Sequence, residues 1–326
     1  MINISFPDPR LFDPGLIDAE TLAINAAIVD RLASFPDQWS KPPAEVRADR
    51  AAGLGAFPAP VLSPRAKVVE ISGPRGPIPL RVFAPEGSAR GVVLHIHGGG
   101  WTFGTADGQD ARLERLVDRL KFAVVSVEYR LAPENPYPAG PDDCEAAALW
   151  LLRESVGMFG TDKLFIGGES AGAHLSLVTI IRLRDRHGRS PFTAALLHAG
   201  CYDLSMTPSV RQWGDEKLVL NTRDIRLFVE SFMGKSDTDE GALRDPDISP
   251  LYADLAGLPP VHLSVGTRDP LLDDTLFLHD RWVAAGNRAD LAVWPGGAHV
   301  FVAFPGKLAE KALGTAEAFL DSFLEE

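Results

Sequence analysis

Between residues 91 and 200 the chain alternates between short apolar runs and longer helical patterns. The runs "GVVLHIH" (91–97), "FAVVSVEYR" (122–130), "KLFIGG" (163–168) and "FTAALLHAG" (192–200) are nearly continuous in their apolar character. A strand reads this way when both its faces are covered, as in a parallel sheet with helices on each side. Helical patterns over 110–120, 142–155 and 171–186 separate these runs, which points to right-handed crossovers. The alternation resumes with "VHLSVG" (261–266), a helix over 270–285, "ADLAVW" (289–294) and a last helix over about 306–324. Two earlier runs, 66–72 and 78–84, have no helix between them and predict an antiparallel edge. The expectation is an α/β chain whose mostly parallel central sheet is covered by helices on both faces.

Two segments interrupt this pattern. Residues 1–60 hold one amphipathic stretch, 18–35, between regions rich in proline and glycine. They read as an arm that contributes to a cap. Residues 203–248 are too long for a simple connection. Their apolar residues, including Trp213, Leu218, Phe228 and Phe232, predict helices laid over something as a lid. The expected division is therefore an arm over 1–60, a core over 61–202 and 249–326, and a cap insertion over 203–248.

Composition narrows the function. The chain has 326 residues, 45% of them apolar, enough for a large core. Its formal net charge is −12, which argues against nucleic acid and anionic membrane partners. No apolar stretch approaches ~18 residues, so no transmembrane helix is expected. The N-terminal stretch lacks the basic flank and apolar centre of a signal peptide, and a cytoplasmic location is expected. The two cysteines, Cys144 and Cys201, suggest neither a disulfide framework nor a zinc site.

The chemistry is carried by "GESAG" (168–172), which sits between a strand and a helix. A tight strand-to-helix turn exposes its central serine, and the positions two before and two after must be small because the backbones pass closely. Ser170 at a helix N-terminus reads as a nucleophile; the plainer alternative is a helix N-cap. "HGGG" (97–100) follows another buried strand, and bare backbone N–H groups of Gly98 or Gly99, with that of Ala171, are candidate oxyanion donors. His95 and His97 have metal-pair spacing, but no nearby Asp or His completes a site, and His97 is expected to brace the loop.

A serine nucleophile needs a base. Of the eight histidines, only His299 stands in a loop just after a late strand, in "LAVWPGGAH". The acid is expected at the end of the preceding strand, where "DPLLDD" offers Asp269, with Asp273 as the alternative. Trp101, Phe103, Glu169, Trp213 and Phe228 are candidate pocket residues.

The set HGGG (97–100), YRLAPENPYPA (129–139), GESAG (168–172), DPLLDD (269–274) and His299 resembles the bacterial hormone-sensitive-lipase-like carboxylesterases, which have the α/β-hydrolase fold. The resemblance implies hydrolysis of small-molecule esters without a metal or organic cofactor, a helical cap over the pocket and, in many members, a homodimer. Carried over by position, it implies a Ser170–His299–Asp269 triad and oxyanion donors at Gly98, Gly99 and Ala171. Two departures stand out: Glu169 where the family more often has Asp or a hydroxyl residue, and Val300 where it often has glycine. Both bear on substrate preference. An amidase, peptidase or lactonase would use the same triad. A ligand receptor on this fold, like the plant gibberellin receptors, would lack a working catalytic histidine, and the presence of His299 argues against it.

Overall fold

The computed structural model describes residues 8–236 and 238–324. In chain order their elements are α1 (Ala19–Ala33), α2 (Pro43–Ala51), β1 (Lys67–Gly73), β2 (Gly76–Phe83), β3 (Val92–Ile96), α3 (Asp110–Leu120), β4 (Ala123–Val127), α4 (Ala139–Phe159), β5 (Leu164–Glu169), α5 (Ala171–His187), β6 (Phe192–His198), α6 (Pro208–Trp213), α7 (Thr222–Met233), α8 (Glu240–Leu243), β7 (Val261–Arg268), α9 (Leu272–Ala284), β8 (Ala289–Ala298) and α10 (Lys307–Asp321). The strands form one sheet in the order β1-β2-β4-β3-β5-β6-β7-β8. The β1–β2 and β2–β4 pairs are antiparallel, and every other pair is parallel.

The apolar runs follow from burial on two sides. Every residue of β3 and β4 is buried. Alternate side chains enter different layers: Val92, Leu94 and Ile96 join the core beneath α4 and α5, while Val93 joins the core beneath α3 and α10. In α3 the buried apolar residues Leu113, Val117 and Leu120 recur at helical spacing. α5 is buried from Ala171 through Leu183 and ends at Gly188, whose φ of +61° suits a left-handed cap. The buried Arg182 of α5 is held by Asp247, Asp142 and Glu145 at 2.6–3.2 Å, so its charge is compensated.

β7 and β8 run further than their sequences predict. Thr267 and Arg268 extend β7, and β8 continues through Pro295 and two glycines to Ala298. The β7–β8 register shifts between Gly266 and Arg268. A Cβ on Gly266 would lie 1.9 Å from the Gly297 oxygen, so glycine lets the strands pinch through the irregularity instead of separating.

The segments on either side of the core touch one another. Trp39 Nε1 donates to Asp224 of α7 at 2.8 Å, and the Trp39 ring lies edge-on to Phe228 at 4.9 Å. Arg47 of α2 donates to the Thr102 carbonyl at 2.9 Å. Asn25 of α1 donates to the Gly296 carbonyl at 2.8 Å, at the end of β8.

Four imidazoles are neutral inside this structure. Burial lowers His97, His174 and His262 to about 4 and His198 to about 3. In the unfolded chain each binds a proton near pH 6.5. Their stabilisation is therefore complete above that pH and is lost as pH falls toward 4. Burial pushes Asp274 up to about 7, which offsets one proton over part of the same window. The net slope is expected to reach roughly 1.4 kcal/mol per pH unit for each uncompensated imidazole. Urea midpoints between pH 7.5 and 4.5 check this; a flat profile would contradict it.

Candidate active site

One residue separates β5 from α5, and it is Ser170. Its φ of +56° and ψ of −124° turn the chain sharply, a conformation that a non-glycine residue holds only under constraint. The constraint is the Ile96 carbonyl of β3. A Cβ on Gly168 would lie 2.1 Å from that oxygen, and one on Gly172 would lie 1.9 Å from it. The small residues of GESAG are thus required by contact. Ser170 N–H donates to the His198 carbonyl at 2.9 Å. Its hydroxyl makes no cap bond to α5, so the N-cap alternative does not describe it.

The hydroxyl instead meets His299, with Oγ 2.9 Å from Nε2. On the other side of the ring, Nδ1 lies 3.0 and 2.9 Å from the two Asp269 oxygens. His299 and Asp269 stand just beyond the ends of the neighbouring strands β8 and β7. All three side chains are buried. The Nδ1–H donates to the carboxylate, which leaves Nε2 as an acceptor toward the hydroxyl. Asp269 also accepts the Leu271 N–H at 2.9 Å, which fixes its rotamer. The alternative acid, Asp273, accepts the Ser209 N–H at 2.8 Å and makes no bond to His299. The following residue, Val300, has φ +50° and ψ +40°, a left-handed conformation costly for a β-branched side chain.

The HGGG loop requires one correction. The Gly98 N–H is not free: it donates to Glu169 Oε1 at 2.7 Å. The N–H groups of Gly99, Gly100 and Ala171 bond to no acceptor among the described residues, and all three residues line the cavity beside Ser170. A Cβ on Gly99 would lie 2.1 Å from the Phe103 oxygen, at a φ of +113°. His97 braces the loop. Its ring stacks on Tyr129 at 4.2 Å, its Nδ1–H donates to the Gly98 carbonyl at 2.8 Å, and the Tyr129 hydroxyl donates to the His97 carbonyl at 2.9 Å. His95 is 2.9 Å from the Ser126 hydroxyl. Among the described residues no group of three His, Cys, Asp or Glu is placed to hold a metal ion.

A cavity of about 750 Å³ opens over Ser170 and His299. Phe103 and Phe228 line it with Leu220, Leu271 and, from the N-terminal segment, Phe35. The Arg50 guanidinium lies over the Phe103 ring, 4.4 Å from its centre. One pocket expectation needs revision, and two gain detail. Trp213 does not border the cavity: its ring packs on the cluster of Ile28, Leu218 and Phe301, and its Nε1 donates to the Glu216 carbonyl at 2.7 Å. Trp101 borders it, but its ring stacks on Phe232 at 4.7 Å and its Nε1 donates to His174 at 3.1 Å, so its side chain is chiefly packing. Glu169 also borders the cavity, but it is buried, with its carboxylate bound to Arg112, Gln109 and His95. Burial alone would raise its pKa; Arg112 and His95 together bring it well below the usual carboxylate range.

Sequence reasoning gave no role to Trp39, Arg50, Tyr129 or Ala132. Tyr129 supports the glycine loop, and Ala132 N–H donates to the Trp101 carbonyl at 2.9 Å. The signal for these last two was present in "YRLAPENPYPA", which marks a family without revealing which atoms its residues hold.

The alpha/beta hydrolase fold family matches residues 93–303. The carboxylic ester hydrolase LipN of Mycobacterium tuberculosis is 35% identical over 253 residues, 75% of this chain and 66% of that protein. The chain thus spans slightly less than two thirds of that relative. The carboxylesterase NlhH of the same species is 35% identical over 233 residues, 70% of this chain and 72% of the relative. A hyperthermophilic esterase from Pyrobaculum calidifontis superposes with a TM-score of 0.82 at 27% identity, covering 92% of this chain and 97% of that one.

The close approach of β3 to the serine turn yields a direct test. Gly172→Ala should cost about 1–3 kcal/mol through overpacking against the Ile96 carbonyl. Gly157→Ala, in α4 with open space around its Cβ position, should be neutral or stabilising by about 0.5–1 kcal/mol. Urea midpoints compare the two, and equal midpoints would count against the contact.

Proposed function

This chain belongs to the α/β-hydrolase fold family, in its hormone-sensitive-lipase-like branch of carboxylic ester hydrolases, and on that premise we propose that it cleaves short- to medium-chain esters through Ser170, His299 and Asp269. The observation that carries the proposal is the 2.9 Å approach of Ser170 Oγ to His299 Nε2, with Asp269 on the far side of the ring.

His299 Nε2 takes the hydroxyl proton as Ser170 Oγ adds to the ester carbonyl. The oxyanion is held by the Gly99, Gly100 and Ala171 N–H groups, with Gly100 in place of the Gly98 group that Glu169 engages. His299 returns its proton to the departing alkoxide oxygen, which leaves as the alcohol. Water then adds to the acyl-enzyme, giving a proton to Nε2. Collapse releases the acid and restores the hydroxyl. Asp269 keeps the proton on Nδ1 and stabilises the transient imidazolium.

The N-terminal segment and residues 203–248 form the cap in this reading. The Trp39–Asp224 bond and the Phe228 wall of the cavity support that division. Phe103 and Phe228, which line the cavity, support an apolar acyl group, and the preference for short and medium chains rests on the family resemblance. The reading extends to a homodimer, supported by family resemblance alone; sedimentation velocity showing a monomer would remove the dimer. No helix among the described residues is long and apolar enough to cross a membrane.

Ser170→Ala should lower ester turnover at least about a thousandfold with its circular dichroism spectrum unchanged. A fluorophosphonate should label Ser170 alone. On a p-nitrophenyl ester series from acetate to palmitate, kcat/KM should peak at short or medium chains. Labelling of a different serine, or hydrolysis of matched anilides in preference to esters, would refute the assignment.

A further inference from the structure

The proposed hydrolysis needs N–H groups held in place before the oxyanion forms, and the loop that carries them has three consecutive glycines. Such a backbone has no side chains to lock it and must be anchored from outside. Its carbonyls are engaged: Phe103 N–H donates to Gly99 O at 2.8 Å, the Tyr129 hydroxyl to His97 O at 2.9 Å, and His97 Nδ1 to Gly98 O at 2.8 Å. Among Gly98, Gly99 and Gly100, only the Gly98 N–H has an acceptor among the described residues, and that acceptor is Glu169 Oε1 at 2.7 Å.

Glu169 is well placed for this. It is the last residue of β5 and adjoins Ser170. Its Oε2 is taken by Arg112 and by His95 Nε2 at 3.3 Å. His95 is in turn 2.9 Å from Ser126 on β4. Gln109, beside the start of α3, reaches Oε1. The carboxylate is thus fixed by β3, β4 and α3, and a buried bond from an N–H to a carboxylate is stronger than a neutral one. The arrangement also limits an electrostatic cost. An unpaired carboxylate beside a developing oxyanion would repel it, and the Arg112 guanidinium compensates that charge.

We infer that Glu169 is a positioning residue for hydrolysis: by accepting the Gly98 N–H it ties the 97–100 loop to the nucleophile turn and presents the following N–H groups to the oxyanion. This inference rests on the ester-hydrolase reading above. It makes Glu169 a determinant of rate as well as a residue at the border of the cavity. The relevant property is an oxygen acceptor at that distance, and the negative charge is secondary.

The test uses wild type, Glu169→Gln, Glu169→Met and the double variant Glu169→Met/Arg112→Met. Active sites are counted by exhaustive fluorophosphonate labelling. Gln keeps an oxygen for Gly98 and should retain kcat on p-nitrophenyl butyrate within about fivefold. Met removes the acceptor and should lower kcat about 10- to 100-fold, the scale of a misplaced reacting group or a lost oxyanion donor, with KM within about twofold. The affinity of an alkyl trifluoromethyl ketone, whose serine adduct carries the oxyanion, should fall in the same proportion. The double variant removes the stranded cation and keeps the test open if the single Met variant does not fold. Should neither Met variant fold, Glu169→Gln decides alone. Wild-type kcat per labelled site in a folded Met variant would overturn the inference, as would a Gln variant that loses a hundredfold. A wild type inactive on every ester would instead overturn the hydrolase reading on which this one rests.

Discussion

The Ile96 carbonyl at the end of β3 sets the spacing on which the site depends. Gly168 and Gly172 both sit so close to it that a methyl group at either would overlap the oxygen. That contact draws the start of α5 against the sheet and leaves one residue, Ser170, to make the whole turn. The turn in turn determines where the hydroxyl points, where the Ala171 N–H points, and how near the glycine loop after β3 can come. Central packing and chemistry are therefore the same problem here. α5 is among the most thoroughly buried helices in the chain, and its first residue flanks the nucleophile.

Backbone strain gathers where this packing can hold it. Of the seven non-glycine residues with positive φ among the described residues, Trp101, Ser170, Val219 and Val300 border the cavity, and Ala199 follows the residue whose carbonyl receives the Ser170 N–H. Such conformations persist only where surrounding structure over-determines them. Val300 illustrates the point. A left-handed position favours glycine, yet here a valine is held between His299 and the buried Phe301. The departure noticed in the sequence is thus a conformational burden placed next to the base.

Polar burial follows a consistent logic around the site. Asp269 is satisfied by His299 and Leu271 N–H, and Glu169 by Gly98, His95, Gln109 and Arg112. Asp274 accepts the N–H groups of Tyr202 and Asp203 and the Thr207 hydroxyl, at 2.6–2.9 Å, and so ties the segment that leads into the 203–248 insertion to α9. Three acids within a short reach have three different duties, which their hydrogen-bond partners separate. The sequence stretch "DPLLDD" presents three aspartates and cannot rank them by geometry.

The layered sheet was legible in the sequence because burial on both faces writes itself as unbroken apolar runs, and the serine turn because close backbone contact admits only small residues at fixed offsets. The candidate base was legible as the one histidine in a loop at the correct sheet edge. Other features were decided in three dimensions. That the Glu169 carboxylate holds the glycine loop depends on Arg112 and His95, 57 and 74 residues away. That Trp213 packs away from the cavity, while Arg50 lines it and Trp39 packs against Phe103 and Phe228, depends on how the N-terminal segment lies against α7. Periodicity and turn chemistry are local and survive in the order of residues. The direction of a long polar or aromatic side chain is set by partners brought from distant parts of the chain, and only folding determines which of them it meets.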